Sequence, residues 1–103
     1  MKDYKSTAFE KIYETVKKIP KGYVATYGDI ANLAGNSNWS RVVGNALHRN
    51  PDPKHIPCHR VVNAQGKLSV NYAFGGLEEQ KKRLIEEGVK VIDNRVDLKK
   101  YRM

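Results

Sequence analysis

Cysteine occurs only once in this chain, at position 58. A single thiol closes no internal disulfide and cannot furnish a cysteine-rich zinc site, so stapled secreted scaffolds and zinc fingers are excluded. Long apolar runs are missing too: none approaches the ~18 residues that a membrane span needs. The opening residues, MKDYKSTAFE, lack the apolar centre of a signal peptide, so the cytoplasm is the expected location and no membrane partner is expected. Internal repeats, low-complexity tracts and Gly/Ser linkers are absent, and 103 residues suit one compact unit, so residues 1–103 read as a single domain.

Negative charge is scarce relative to positive. Nineteen Lys and Arg face eleven Asp and Glu, a net charge of +8, with a pI near 9.7. Such a balance suits a polyanionic partner. Residues 20–68 carry six of the cations and only two of the acids, and all three histidines, His48, His55 and His59, fall there beside Cys58. With 40% hydrophobic residues and a mean hydropathy of −0.66, the chain has a modest core and an ordinary charged surface.

The apolar pattern places the elements. Thr7 to Glu10 fits a capping box, and Phe9, Ile12, Tyr13, Val16 and Ile19 recur at helical spacing until Pro20. Thr26 can cap a second short helix carrying Tyr27, Ile30, Ala31 and Ala34 on one side, with Gly35 as its stop. Asn36, Ser37 and Asn38 make a tight polar turn. A third helix, from about Trp39 to Arg49, turns Val42, Val43, Ala46 and Leu47 inward and Arg41, Asn45 and His48 outward, until Asn50-Pro51 ends it. The pair reads as a helix-turn-helix.

Beyond it, the Pro-punctuated run NPDPKHIPCHR leads to a β-prone Val61-Val62 and a turn at Asn63-Ala64-Gln65-Gly66. Leu77, Leu84 and Ile85 anchor a fourth helix that stops at Gly88, and the tail VKVIDNRVDLKKY folds into a small hairpin around Asp93-Asn94. The expected fold is a small, mostly helical α+β domain with a winged-helix-like DNA-binding unit and a few short strands.

Cys58 is the residue with the most chemical potential. By itself it is either a buried structural thiol or a nucleophile. Its neighbours, His59, Arg60 and a loop terminus, favour thiolate and point to a lowered pKa. A histidine adjacent in sequence reaches the sulfur through a bridging water, with a carboxylate orienting its other nitrogen. One cysteine and three histidines match no common zinc spacing, so neither metal nor cofactor is expected. Gly75-Gly76 lacks the Gly-Lys-Ser/Thr of an NTP-binding loop and reads as a hinge into the fourth helix. Arg41 is either a solvated charge or a phosphate or base contact, and Tyr27 either core or a polar-tipped aromatic offered to nucleic acid.

Tyr27, the stretch Arg41 to Ala46 (RVVGNA), Asn50-Pro51, the heptapeptide IPCHRVV and Glu86-Glu87-Gly88 together resemble the C-terminal domain of the O6-alkylguanine-DNA alkyltransferases. The resemblance covers roughly residues 7–90. It implies a monomer acting on double-stranded DNA that contains O6-alkylguanine: the base is flipped out, and its alkyl group passes irreversibly to Cys58. It further implies that His59 is the base acting through a water, that Glu87 orients His59, and that Asn50 braces the turn before the cysteine. Arg41 would enter the base stack, Tyr27 would press on the neighbouring phosphate, and Ser40, Asn45 and Arg60 would complete the DNA contacts. The loop Ser69-Val70-Asn71-Tyr72-Ala73-Phe74-Gly75-Gly76 departs from the Asn-Tyr-Ser-Gly-Gly or Gly-Tyr-Gly-Gly more often found in the family. Short relatives, the alkyltransferase-like proteins, share the one-domain layout, usually carry tryptophan at the cysteine position, and bind the lesion without repairing it. Repair and recognition alone are therefore the two functions implied.

Overall fold

The first helix starts earlier than the capping pattern predicts. In the computed structural model, which describes residues 4–103 with side chains from Thr7 onward, α1 spans Tyr4–Val16. Thr7 lies inside the helix, because Tyr4, Lys5 and Ser6 contain no breaker that would force a start at Thr7. On the predicted face Ile12 and Val16 are buried and Phe9 and Tyr13 partly so; Ala8, outside that pattern, is buried as well. The helix also ends before Ile19. Lys18 N–H donates to the Thr15 carbonyl and Ile19 N–H to the Val16 carbonyl, a tightened last turn that still buries Ile19.

A two-residue strand, β1 (Ala25–Thr26), then runs straight into α2 (Tyr27–Leu33). The capping box is complete: Asp29 N–H donates to Thr26 Oγ1 and Thr26 N–H to Asp29 Oδ2, each at 3.0 Å. Gly35 takes φ +109°, a conformation that an L side chain resists, and so turns the chain after α2. Asn36 Oδ1 accepts from Asn38 N–H and starts a single 3-10 turn, Ser37–Trp39, that leads into α3 (Ser40–His48). Val43, Ala46 and Leu47 are buried and Val42 partly so, while Ser40, Arg41, Asn45 and His48 are exposed. The helix-turn-helix is thus present, with the faces the periodicity assigned.

The strand β1 has no counterpart in the sequence reading. It pairs in parallel with β2 (Val61–Val62), with Ala25 opposite Val61 and Thr26 opposite Val62. A parallel pair needs a crossover, and here α2, α3 and the cysteine loop provide it. Because β2 follows the cysteine turn directly, this short ladder fixes Cys58 relative to the start of α2.

Two apolar clusters carry the fold. One joins α1, α2 and α3 with Ile56, Cys58, Val61 and Tyr72. The other joins Val24, Val62, Leu68, Leu84, Val89 and Val96. The helix α4 (Gly76–Glu86) contributes Leu84, which is fully buried. Ile85, expected as a core anchor, is instead 50% exposed: the turn that points Leu84 inward rotates its neighbour about 100° away. Strands β3 (Val91–Ile92) and β4 (Arg95–Val96) form the expected hairpin, and Asp93 and Asn94 both take positive φ at its tip, as a two-residue primed turn requires. A last short helix, α5 (Leu98–Tyr101), capped by Asp97, was not anticipated. The chain is about half helical with a few short strands, as the composition of elements led one to expect.

The contrast between neighbours on α4 is directly testable. Leu84→Ala should lower the unfolding free energy by about 2–5 kcal/mol in urea titrations, whereas Ile85→Ala should change it by no more than about 0.5 kcal/mol.

Candidate functional site

The loop between α3 and β2 is braced from within. Asn50 is buried; its Nδ2 donates to the Ile56 carbonyl at 2.8 Å and its Oδ1 accepts from Asp52 N–H at 2.9 Å. This clamp ends one residue before Pro57, and Cys58–Arg60 form a single 3-10 turn. Cys58 is only 4% exposed and lines a cavity of about 200 Å³ with Tyr27, His48, Ser69, Asn71 and Tyr72. Such a volume is below the roughly 300 Å³ at which drug-sized pockets begin and suits a small group held closely.

The expected acid shift of the thiol is not what this environment produces. Burial pushes the Cys58 thiol above its ordinary value, and hydrogen bonds from the Asn50 and Tyr72 side chains and the charge of Arg83 only partly oppose it. The reading from neighbours in sequence failed because Arg60 turns away from the sulfur. Its Nε and Nη2 bond both oxygens of Glu87, at 2.9 and 2.6 Å, and its Nη1 donates to the Ile19 carbonyl at 2.8 Å. Arg60 was also expected on the DNA surface; instead its guanidinium is committed to the protein interior.

His59 is buried against the same carboxylate, with Nε2 3.1 Å from Glu87 Oε1. The approach is close but poorly aligned, so neither ring nitrogen has a well-directed hydrogen bond within the protein, whereas both Arg60 bonds to Glu87 are well directed. Burial, with repulsion from Arg60 and Arg83, holds the His59 imidazole below its ordinary value despite the pull of Glu87. Burial alone would raise Glu87, but its bonds to Arg60 and His59 win and hold the carboxyl below its usual range. The triad therefore rests as guanidinium, carboxylate and neutral imidazole. A neutral imidazole can accept a proton, and a carboxylate at 3.1 Å favours the cation that results.

Two polar side chains at this site escaped the sequence reading. Gln80 is fully buried; its Oε1 accepts from Ser69 N–H at 2.8 Å, and its Nε2 donates to the His59 and Val61 carbonyls at 3.3 and 3.1 Å. It ties the cysteine turn to the loop that closes the cavity. Its signal was an amide at a core position of α4, between Leu77 and Leu84. Tyr72, nearly buried, accepts from Arg83 Nη1 at 3.0 Å through its hydroxyl.

The remaining predicted residues lie at the mouth and on the outer face. Tyr27 is partly buried and lines the cavity with Ser69, and burial raises its phenol above the ordinary value. Ser40, Arg41 and Asn45 share the exposed side of α3. Among the described residues, no group of three or more His, Cys, Asp or Glu could hold a metal ion, and no helix is long and apolar enough to cross a membrane.

The charge state of the triad sets an acid limit on stability. Because folding lowers the His59 pKa below 6.5, the unfolded chain binds that proton first, so the stabilisation is complete above about pH 6.5 and is lost as pH falls towards the folded value. Glu87, held below 4.5, adds a second loss at lower pH. Thermal melts should show Tm falling in both ranges, and His59→Gln should remove only the upper one.

Residues 7–89 match the family described as 6-O-methylguanine DNA methyltransferase, DNA binding domain. A DNA base-flipping protein of Escherichia coli is 42% identical over 94 residues, covering 90% of this chain and 71% of that protein. A methylated-DNA--protein-cysteine methyltransferase of Thermococcus kodakarensis is 46% identical over 86 residues; this chain spans 47% of its length. Among solved structures, Schizosaccharomyces pombe Atl1 in complex with damaged DNA containing O6-carboxymethylguanine superposes with a TM-score of 0.87 at 34% identity, covering 100% of this chain and 98% of that one. With a matched segment that takes in the helix-turn-helix, the cysteine turn and Glu87, the chain belongs to the 6-O-methylguanine DNA methyltransferase DNA-binding family.

Proposed function

We propose that this protein binds duplex DNA at O6-alkylguanine, holds the damaged nucleotide flipped into the cavity over Cys58, and accepts the alkyl group on that sulfur once per molecule. The observation that carries the reading is a lone thiol lining a small cavity, beside a buried neutral imidazole that a carboxylate backs. Burial keeps the thiol protonated at rest, so thiolate forms when a proton acceptor is engaged. His59, through a water, takes the Cys58 proton, and Glu87 favours the imidazolium. The sulfur attacks the alkyl carbon, an S–C bond forms as the O6–C bond breaks, and the electron pair stays on the guanine, which recovers the proton from His59. No step regenerates the thiol, so each molecule acts once.

The outer face serves the flip. Extrusion of a base costs a few kcal/mol and is helped by a side chain that occupies the gap and by a firm hold on the backbone. Arg41 is exposed for the first task; Tyr27 at the rim, with Ser40 and Asn45, suits the second. The similarity to a base-flipping protein supports a flip. A second reading, recognition of the lesion without transfer, is favoured by the raised pKa of Cys58 and by the full-length match to Atl1.

Intact-mass measurement after mixing the protein with a duplex carrying one O6-methylguanine separates the two. Transfer predicts one added methyl, mapped to Cys58 and absent with undamaged DNA; lesion binding with no mass gain would leave recognition alone. Arg41→Ala should weaken binding to the lesion duplex and slow transfer by roughly tenfold, about 1.4 kcal/mol. Unchanged kinetics would remove Arg41 from that role.

A further inference from the structure

Besides His59 and Glu87, a second group of polar side chains lies near the sulfur. Tyr72 lines the cavity with Cys58, and a hydrogen bond from the Tyr72 side chain is among the influences that lower the thiol's pKa. The Tyr72 hydroxyl accepts from Arg83 Nη1 at 3.0 Å, and the guanidinium carbon lies 5.7 Å from the Tyr72 ring centroid. Arg83 is itself held one helical turn back along α4, where its Nε donates to Glu79 Oε2 at 3.0 Å. A phenol has one proton to give. When a guanidinium N–H occupies a lone pair of its oxygen, that proton is left for the other neighbour, and the charge on the donor strengthens the second bond.

We propose that Arg83 is a positioning residue: held by Glu79, it aims the Tyr72 hydroxyl as a donor at Cys58 Sγ, so that the chain Glu79–Arg83–Tyr72 supports the thiolate. This rests on the reading of Cys58 as the nucleophile. As an exposed i,i+4 pair, Glu79 and Arg83 would be worth only a few tenths of a kcal/mol. What sets Arg83 apart is the bond from its guanidinium to a nearly buried hydroxyl that reaches the reactive atom. Tyr72 serves as a donor and not as an anion, since burial and the neighbouring Cys58 push its ionisation far above the ordinary range.

The charged and titratable groups around the sulfur make Arg83 the cation that counts. From α1 and α2 come Tyr13 and Tyr27, both neutral phenols with raised values; α3 brings His48 to the cavity lining, and Arg49 after it acts on Tyr13; the closing loop brings Tyr72, and α4 brings Arg83 with Glu79 behind it. On the cysteine turn itself, His59 is neutral and Arg60 is neutralised by Glu87.

The test uses the thiol alone, without DNA. Carboxamidomethylation of Cys58 by iodoacetamide, followed by intact mass between roughly pH 6 and 10, gives the midpoint of thiol ionisation. Arg83→Leu and Tyr72→Phe should each raise that midpoint by about one unit, a tenfold slower reaction at fixed pH below it. The double variant should go no further than either single one, and Arg83→Lys should recover part of the shift. Arg83 is about one-third exposed, and matching melting curves and circular dichroism confirm that the variants fold. A wild-type profile in Arg83→Leu, or shifts that simply add in the double variant, would overturn the proposal. If the wild type never takes a methyl from DNA yet the variants move the profile as stated, transfer fails and the role of Arg83 stands.

Discussion

The carboxylate of Glu87 is the contact on which the rest of the site depends. It receives two bonds from Arg60 and lies 3.1 Å from His59, and Arg60 passes a third bond to the Ile19 carbonyl beyond α1. Through Arg60, the end of α4 and the cysteine turn are thus joined to the segment that follows the first helix. A buried carboxylate requires a partner cation, and Arg60 is always charged. Burial keeps the imidazole uncharged, and the positive charge of Arg60 on the same carboxylate adds to that against the pull of Glu87.

Around that anchor the fold ties the sulfur to α3 with little freedom. Asn50 holds the loop that leaves α3, the β1–β2 pair holds the residues that follow the turn, and Gln80 holds the carbonyls between. Each engages backbone groups, so these bonds satisfy main-chain polar atoms as well as orient the turn. The distance from Arg41 to Cys58 is therefore set by rigid elements and not by a mobile loop.

How much of this was legible follows the range of the interactions. The helix-turn-helix was readable because its signals are local: Thr26 with Asp29, Gly35, and the spacing of Val43, Ala46 and Leu47. The hairpin at Asp93-Asn94 was readable for the same reason. The start of α1 was not, because a Thr-x-x-Glu pattern is compatible with a helix interior when no breaker precedes it. The strand β1 was invisible, since two residues show no period and exist as a strand only through a partner 36 positions away. At the site, Cys58, His59 and Asn50 announced themselves by sequence, but the direction of the thiol's shift depended on burial and on where Arg60 points. Both are tertiary facts. Arg83 and Gln80 carry no motif, and only the packing of α4 against the cysteine turn brings them to the sulfur.

The capping box of α2 has a distant tie. Asp29, which closes the box with Thr26, also accepts from Nε and Nη2 of Arg102, and Val24, two residues before Thr26, exchanges backbone bonds with Tyr101 and Met103. These contacts close loops of more than seventy residues, whereas the helix-turn-helix closes within about twenty-five. Loop closure of that length is entropically the dearest in the chain and tends to come late in folding. The helix-turn-helix can therefore gather early from local contacts, but the first turn of its leading helix is locked in place only when the far end of the domain arrives.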